Sequence, residues 1–328
     1  MANKYIENKY ISTFNIDNLK RNITILGNSK NEVLKMLVTS LNQRNIKKSI
    51  EYTIELHLSG YFDNVFAKLN NHFFNNINLA QPKGIIYLES FTKYYTDKYT
   101  YTFKKNHPLS IINDMRTRNF ICFFITLCCL SNQKNLPKLN KISNDDFDLK
   151  KKKRKLVSKN LALVQRFVNK EDPKEIIIPL SEICNLLNDN TIIDREQLIV
   201  FWLSWLYEYE KKYHTNGLLV KFRHIPGIDS KYCRDFIWIV WDILIEGCPK
   251  EFKHLLISLY SLFKIKFTKT SKKSKYYLIV NAIYLCVNPI PKIKIPVILN
   301  NDVLKRCNIE SLKSNIYYNE MLTKIALA

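Results

Sequence analysis

Residues 29–41, SKNEVLKMLVTSL, decide the fold class. Ser29 followed three positions later by Glu32 is a capping box, in which hydroxyl and carboxylate each satisfy an amide left orphaned at a helix start. Val33, Leu37 and Leu41 then recur at helical spacing and give the segment one apolar face. The same pattern continues outward. Ile46, Ile50 and Ile54 predict a second helix that stops at Ser59-Gly60, and Phe62, Val65, Phe66 and Leu69 predict a third. Residues 120–130 are apolar all round, the mark of a central helix, with the charged start at Asp114, Arg116 and Arg118 expected to reach solvent. Only 6 glycines and 10 prolines occur in 328 residues, too few for the tight turns of a β-rich fold of this size. The expectation is an all-α or nearly all-α fold of two helical subdomains built from antiparallel helices.

The boundary between them is expected near residue 150. There Asp145, Asp146 and Asp148 give way to six consecutive cations, Lys150, Lys151, Lys152, Lys153, Arg154 and Lys155. Residues 1–145 would form the N-terminal subdomain, 146–155 a charged linker and 156–328 the C-terminal subdomain. In the latter, Val157, Leu161, Val164 and Val168 keep a helical face, and Asp194 with Gln197 offers a capping pair before an apolar helix over 198–209. Gly217 reads as a turn, Gly247 closes a helix over 236–245, and Pro249 suits the first turn of the next. Phe252, Leu255, Leu256, Leu259 and Phe263 supply that helix's buried stripe. Residues 264–275 read as a basic connection and 276–287 as apolar again, while three prolines within 288–296 forbid a continuous helix.

With 51 Lys and Arg against 29 Asp and Glu, the chain carries a net charge of +22, self-repulsive unless a polyanion or salt compensates it. Part of the lysine excess, like the abundance of Asn, Ile and Tyr, reads as coding bias of an AT-rich genome. Nucleic acid is the commonest partner for such a surface, through phosphate neutralisation and counterion release; an acidic protein or an anionic membrane surface would meet the same charge. The eight cysteines show no C-x-x-C spacing and mostly lie in apolar runs, as small buried hydrophobes of a reducing compartment do. The first ten residues hold no signal-peptide core, and apolar runs of about 10 residues fall short of the ~18 to 20 that span a bilayer. An intracellular setting is expected, nuclear or in a cytoplasmic viral factory.

No phosphate-binding G-x-x-x-x-G-K-[ST] loop, G-x-G-x-x-G turn, H-E-x-x-H or G-x-S-x-G element occurs. No cofactor is expected, and no enzymatic activity. Asp235, Asp242 and Glu246 fall within about 40° of one another on a helical wheel and could hold Mg²⁺ beside Trp238, although a polar stripe on an amphipathic helix explains them as well. Cys233, Cys248 and His254 match no zinc spacing, and His224 lacks an identifiable nucleophile to serve as base. Two basic stretches stand out instead. One is the 150–155 run, whose cations precede a helical pattern and oppose its dipole, so folding alone would not choose them. The other is Lys264, Lys266, Lys269, Lys272, Lys273 and Lys275, interleaved with Phe267 and Tyr276, where bases could stack while lysines meet phosphates. An exposed loop or solvated linker accounts for either stretch equally well.

Lys48-Ser49-Ile50-Glu51-Tyr52, then Ser59-Gly60, then Ile77-Asn78-Leu79-Ala80-Gln81-Pro82 resemble the C-terminal helical region of clamp-loader-like AAA+ ATPases of the MgsA and Werner-interacting-protein family. That region carries a helix ending in Ser-Gly, followed by Ile-Gly-Leu-Ala-Asp-Pro. Ser131-Asn132-Gln133-Lys134, after an apolar helix, looks like the family's Pro-Lys-Ser-Asn turn. The likeness covers residues 46–139. It departs at Asn75-Asn76, where the family has an acidic pair, and the chain holds no ATPase motif. The resemblance implies a helical oligomerisation or DNA-transaction scaffold without an engine, and with the coding bias the chain looks like an accessory protein of a large DNA virus. The expected function is a non-enzymatic, nucleic-acid-associated replication or transcription accessory factor. Two alternatives stand beside it: a structural or scaffold protein binding an acidic partner, and a metal-dependent nucleic-acid enzyme.

Overall fold

A computed structural model describes residues 21–99, 107–149, 156–158, 161–214, 217–287 and 301–327. These residues are predominantly α-helical, and their β-structure is limited to the isolated bridges Ile23–Ser29 and Leu219–Asp235. The chain divides into two compact units, Met1–Asn135 with Lys294–Ala328, and Leu136–Ile293. The division falls earlier than the charge pattern suggested, and the last 35 residues belong with the first unit. The cause is apolar: Cys307, Tyr318 and Met321 of that tail are buried.

The first unit opens with α1 (Lys30–Asn42) and α2 (Ile46–Leu58), packed as a hairpin. Val33, Leu37, Leu41, Ile50 and Ile54 are all at most 1% exposed, the faces their spacing assigned. Asn45 caps α2 by accepting from the Lys48 amide at 3.1 Å. Ser29 precedes α1 but makes no side-chain cap. Its backbone instead bridges Ile23, and the preceding loop is tied down by Thr24, whose hydroxyl donates to Glu55 at 2.5 Å. Next come α3 (Phe62–His72), which widens into a π turn and then tightens into a 3₁₀ turn ending at Ala80, then α4 (Lys83–Tyr99), α5 (His107–Ile112) and α6 (Met115–Leu130). Phe62, Phe66, Phe91, Tyr95 and Phe120 form one aromatic cluster, with Phe91 and Phe120 stacked at 3.7 Å. Gly84 lets α4 approach α3: a Cβ there would collide with the buried Phe73 ring.

The start of α6 corrects the sequence reading. Asp114 caps the helix by accepting from the Thr117 amide, and Arg118 is only 1% exposed. The guanidinium donates to the Ile112 carbonyl at 2.7 Å and to Asn113, and lies 4.4 Å above the Tyr318 ring. Helical periodicity cannot see this, because the partners come from the end of α5 and the residue after it and from a helix 200 residues away.

The second unit comprises α7 (Ile177–Asn188), α8 (Arg195–Tyr213), α9 (Ile237–Gly247), α10 (Lys253–Lys264), α11 (Lys269–Ser274) and α12 (Tyr276–Val287). All four tryptophans of the chain lie here, with Trp205, Trp238 and Trp241 at most 1% exposed. The stripe Phe252, Leu255, Leu256, Leu259 and Phe263 is buried as its spacing requires. Asp194 sits in a left-handed conformation before α8 and makes no side-chain cap, so the predicted pairing with Gln197 does not form. Residues 156–158 are irregular and the helix beyond them is short, Ala162–Gln165. The chain returns to the first unit with α13 (Asn301–Leu312), packed on α6, and α14 (Ser314–Leu327), packed on α2 and α6.

Two buried histidines make the first unit acid-sensitive. Burial, reinforced by the Arg118 charge, holds His57 down at about 3, and burial holds His72 down at about 4, against an ordinary 6.5. The His57 Nδ1 is hydrogen-bonded to the Tyr318 hydroxyl. Each ring is neutral in the folded state, so below 6.5 the unfolded chain binds protons that the folded chain refuses. Their contribution is whole above about pH 6.5. It is lost as pH falls from there toward 3 to 4, by up to roughly 1.4 kcal/mol per pH unit for each ring. The urea midpoint of the first unit should therefore fall between pH 6.5 and 4 more steeply in the native chain than in a His57→Gln/His72→Gln variant, and equal slopes would refute this account.

Candidate nucleic-acid interface

The basic stretch at 264–275 connects two helices through residues 265–268 and then forms a short helix over 269–274. Thr268 caps α11 by accepting from the Ser271 amide, and Ser271 returns a bond to the Thr268 backbone. The fold sorts the six lysines of this stretch by direction. Lys272 turns inward and is 2% exposed; its ammonium donates to both oxygens of Glu210 (2.9 and 2.7 Å) and both of Asp235 (3.0 and 2.8 Å), and lies 4.4 Å over the Phe236 ring. Lys275 is also turned in, donating to the Phe263 carbonyl at 3.1 Å and to that of Ile265, and burial lowers it to about 8. Both are engaged inside the fold, Lys272 by carboxylates and Lys275 by backbone carbonyls. The interleaved Phe267 is buried too, against Trp238.

Lys266, Lys269 and Lys273 are exposed, and Lys264 is half-buried over Tyr260. Lys273 donates to Glu208 of α8 at 2.8 Å, and Lys269 lies beside Gly217, beyond the end of that helix. The remaining predicted cations, Lys150, Lys151, Lys152, Lys153, Arg154 and Lys155, lie outside the described residues.

The end of α8 holds a feature that charge counting missed. Trp205, Tyr209 and Tyr213, spaced four apart, form an aromatic ladder running from the core to the surface. Trp205 stacks on Tyr209 at 4.7 Å and 8°, and Tyr209 meets Tyr213 at 4.9 Å. The Trp205 indole donates to the Asp146 carbonyl at 2.9 Å, which places Phe147 5.6 Å from Tyr213 and edge-on to it. Lys212 sits 4.9 Å over Phe147 and 5.0 Å over Tyr213, its ammonium donating to the Asn144 side chain at 2.6 Å. The i, i+4 spacing was legible, but burial was not, so nothing in the chain alone distinguished this ladder from a core stripe.

The other candidates are separated by the fold. Asp235 precedes α9, accepts from the Ile237 amide and serves Lys272. Asp242 is half-buried, its carboxyl pushed up by burial, and Glu246 pairs with Arg166 at 2.5 Å. These three carboxylates do not converge. Among the described residues no group of three His, Cys, Asp or Glu side chains could hold a metal ion. Seven of the eight cysteines are buried, and Cys286, half-buried, donates its thiol to the Leu244 carbonyl at 3.5 Å. His224 is exposed, and its neighbour Arg223 turns to Asp172 at 3.0 Å. Among the described residues no helix is long and apolar enough to cross a membrane.

No protein-family model matches the chain, and neither a curated protein nor a solved structure matches it.

Proposed function

We propose that the protein is a non-enzymatic, nucleic-acid-associated accessory factor that grips the phosphate backbone through basic surface. One observation carries this reading: the positive charge is shared equally by the two units. The first has 23 Lys and Arg against 12 Asp and Glu, the second 28 against 17, an excess of 11 in each. Such a surface releases counterions on meeting a polyanion, and association weakens steeply with salt.

The resemblance to the helical region of clamp-loader-like ATPases gains support from local geometry. Asn78 occupies the position of that family's glycine and has φ +44° and ψ −124°, a positive-φ conformation that favours glycine. Its side chain donates to the Lys134 carbonyl, and the Lys134 amide donates to the Asn76 carbonyl at 2.6 Å, so the two short motifs pack on each other. A DNA-transaction scaffold is the role this likeness favours.

The test is binding of the full chain to duplex and single-stranded DNA across a salt series. Log K should fall linearly with log salt. Replacing residues 150–155, Lys266, Lys269 and Lys273 by Gln should weaken binding to all sequences and flatten that slope by about 0.7 to 0.9 for each phosphate no longer neutralised. No binding at low ionic strength, or an unchanged slope, would sink the reading.

A further inference from the structure

We propose that Cys248 and Cys286 are a redox-modification site, a thiol pair that a hydroperoxide closes to a disulfide tying the end of α9 to the end of α12. The proposal stands apart from the nucleic-acid reading. Cys248 directly follows α9, and Cys286 lies in the last turn of α12, a helix that packs on α9. Both thiols are directed at the same stretch of backbone. Cys286 donates to the Leu244 carbonyl at 3.5 Å and Cys248 to the Pro249 carbonyl at 3.5 Å. The two thiols also lie within hydrogen-bonding reach of each other. Arg195 pins the end of α12, its guanidinium donating to the Val287 carbonyl at 2.9 Å. The sulfurs therefore meet in the folded chain before any oxidant arrives.

Chemistry separates this pair from the other cysteines. Burial pushes the Cys122, Cys184 and Cys307 thiols up to about 12 and Cys129 to about 11, and it holds Cys128 well above the ordinary range. Buried thiols of this kind are inert. Cys248 departs in the other direction: the hydrogen bond with Cys286 holds its thiol down against the push of burial, and the Lys253 ammonium assists. The same hydrogen bond, with burial, raises Cys286. One sulfur is thus prepared as the nucleophile while the other keeps its proton. Cys286 is also the one half-buried cysteine of the eight, so a solute close to water in size reaches the pair from its side.

The reaction takes two steps and consumes one hydrogen peroxide. The Cys248 thiolate attacks a peroxide oxygen, the O–O bond breaks and hydroxide leaves, taking up a proton to become water; Cys248 is now a sulfenic acid. The Cys286 sulfur then attacks the sulfenic sulfur. The S–S bond forms, the S–O bond breaks, and the Cys286 proton leaves with the hydroxyl as a second water. Two thiols have lost two electrons to the peroxide. In reducing surroundings such a bond is transient and reports oxidant instead of holding the fold.

The experiment exposes the reduced full chain to hydrogen peroxide, blocks the remaining thiols with N-ethylmaleimide and maps the peptides by mass spectrometry without reductant. A linked Cys248–Cys286 peptide pair should appear, at the summed mass of the two peptides less two hydrogen atoms, and should vanish on treatment with dithiothreitol. Cys122, Cys128, Cys184 and Cys307 should be recovered as the maleimide adducts. In Cys286→Ala the sulfenic acid has no resolving thiol, so dimedone should label Cys248. In Cys248→Ala neither the link nor a dimedone adduct at Cys286 should form. The native-chain map alone decides the proposal if a variant misfolds. Recovery of both cysteines unlinked after peroxide treatment would overturn it, as would a linked pair formed no faster in the folded chain than in urea.

Discussion

Replacing Lys272 by Met should destabilise the second unit by about 3 to 5 kcal/mol, the usual consequence of removing one partner from a buried ion pair. The ammonium satisfies four carboxylate oxygens inside the unit. Without it, Asp235 and Glu210 face each other with no cation between them. Burial already pushes the Asp235 carboxyl up, Lys272 opposes that push and the Glu210 charge adds to it. The variant should therefore take up a proton near neutral pH instead of holding two buried anions. Methionine matches the lysine stem in length, so lost packing adds little. The four tryptophans, all in this unit, report its unfolding alone, and the urea midpoint of their fluorescence should drop sharply. Asp235→Asn in the Lys272→Met background should recover part of the loss, because one of the stranded charges is gone. A midpoint within about 0.5 kcal/mol of the native chain would show that the cluster is not a structural element.

The same lysine shows where sequence reading stops. Helix periodicity located α1, α2, α3 and the stripe of α10, because each exposes one face and buries the other. Those burials depend on spacing within a dozen residues. Lys272 and Arg118 break the rule that cations stay outside, and each does so for partners distant in the chain: Glu210 and Asp235 for one, Tyr318 for the other. Low glycine content announced helices but not their pairing order. The return of α13 and α14 to the first unit carries no local signal at all. At the candidate interface, residues 264–275 read as a basic connection, yet the Thr268 cap makes 269–274 a helix, and its 100° steps send Lys272 inward while Lys269 and Lys273 stay outside. The stacking ladder on α8 was hidden by the opposite ambiguity, since Tyr at i, i+4 suits a core and a surface equally.

A chain ending at residue 293 should lose the first unit while keeping the second. The tail buries Cys307, Tyr318 and Met321 against helices formed more than 170 residues earlier. At roughly 1.5 to 3 kcal/mol for each large apolar side chain, these burials alone approach the total stability of a marginal domain. Polar losses come on top. Arg118 loses the ring it lies over, His57 loses its hydroxyl partner, and Asn119 loses the Ser314 hydroxyl at 2.6 Å. Lys324 and Glu51, paired at 2.6 Å but exposed, contribute little by comparison. The truncated chain should show reduced helical circular dichroism, rapid proteolysis within residues 21–130 and native tryptophan emission. Tyr318→Ala in the full chain should reproduce part of this, about 3 to 5 kcal/mol by analogy with other buried aromatic truncations. Tyr318→Phe keeps the ring over Arg118 and removes only the hydroxyl, so it should cost about 1 to 3 kcal/mol. That ordering, truncation beyond Ala beyond Phe, separates packing from hydrogen bonding where α14 meets α2 and α6. A truncated chain with full helicity and unchanged protease resistance would mean that residues 1–135 hold their fold without the tail.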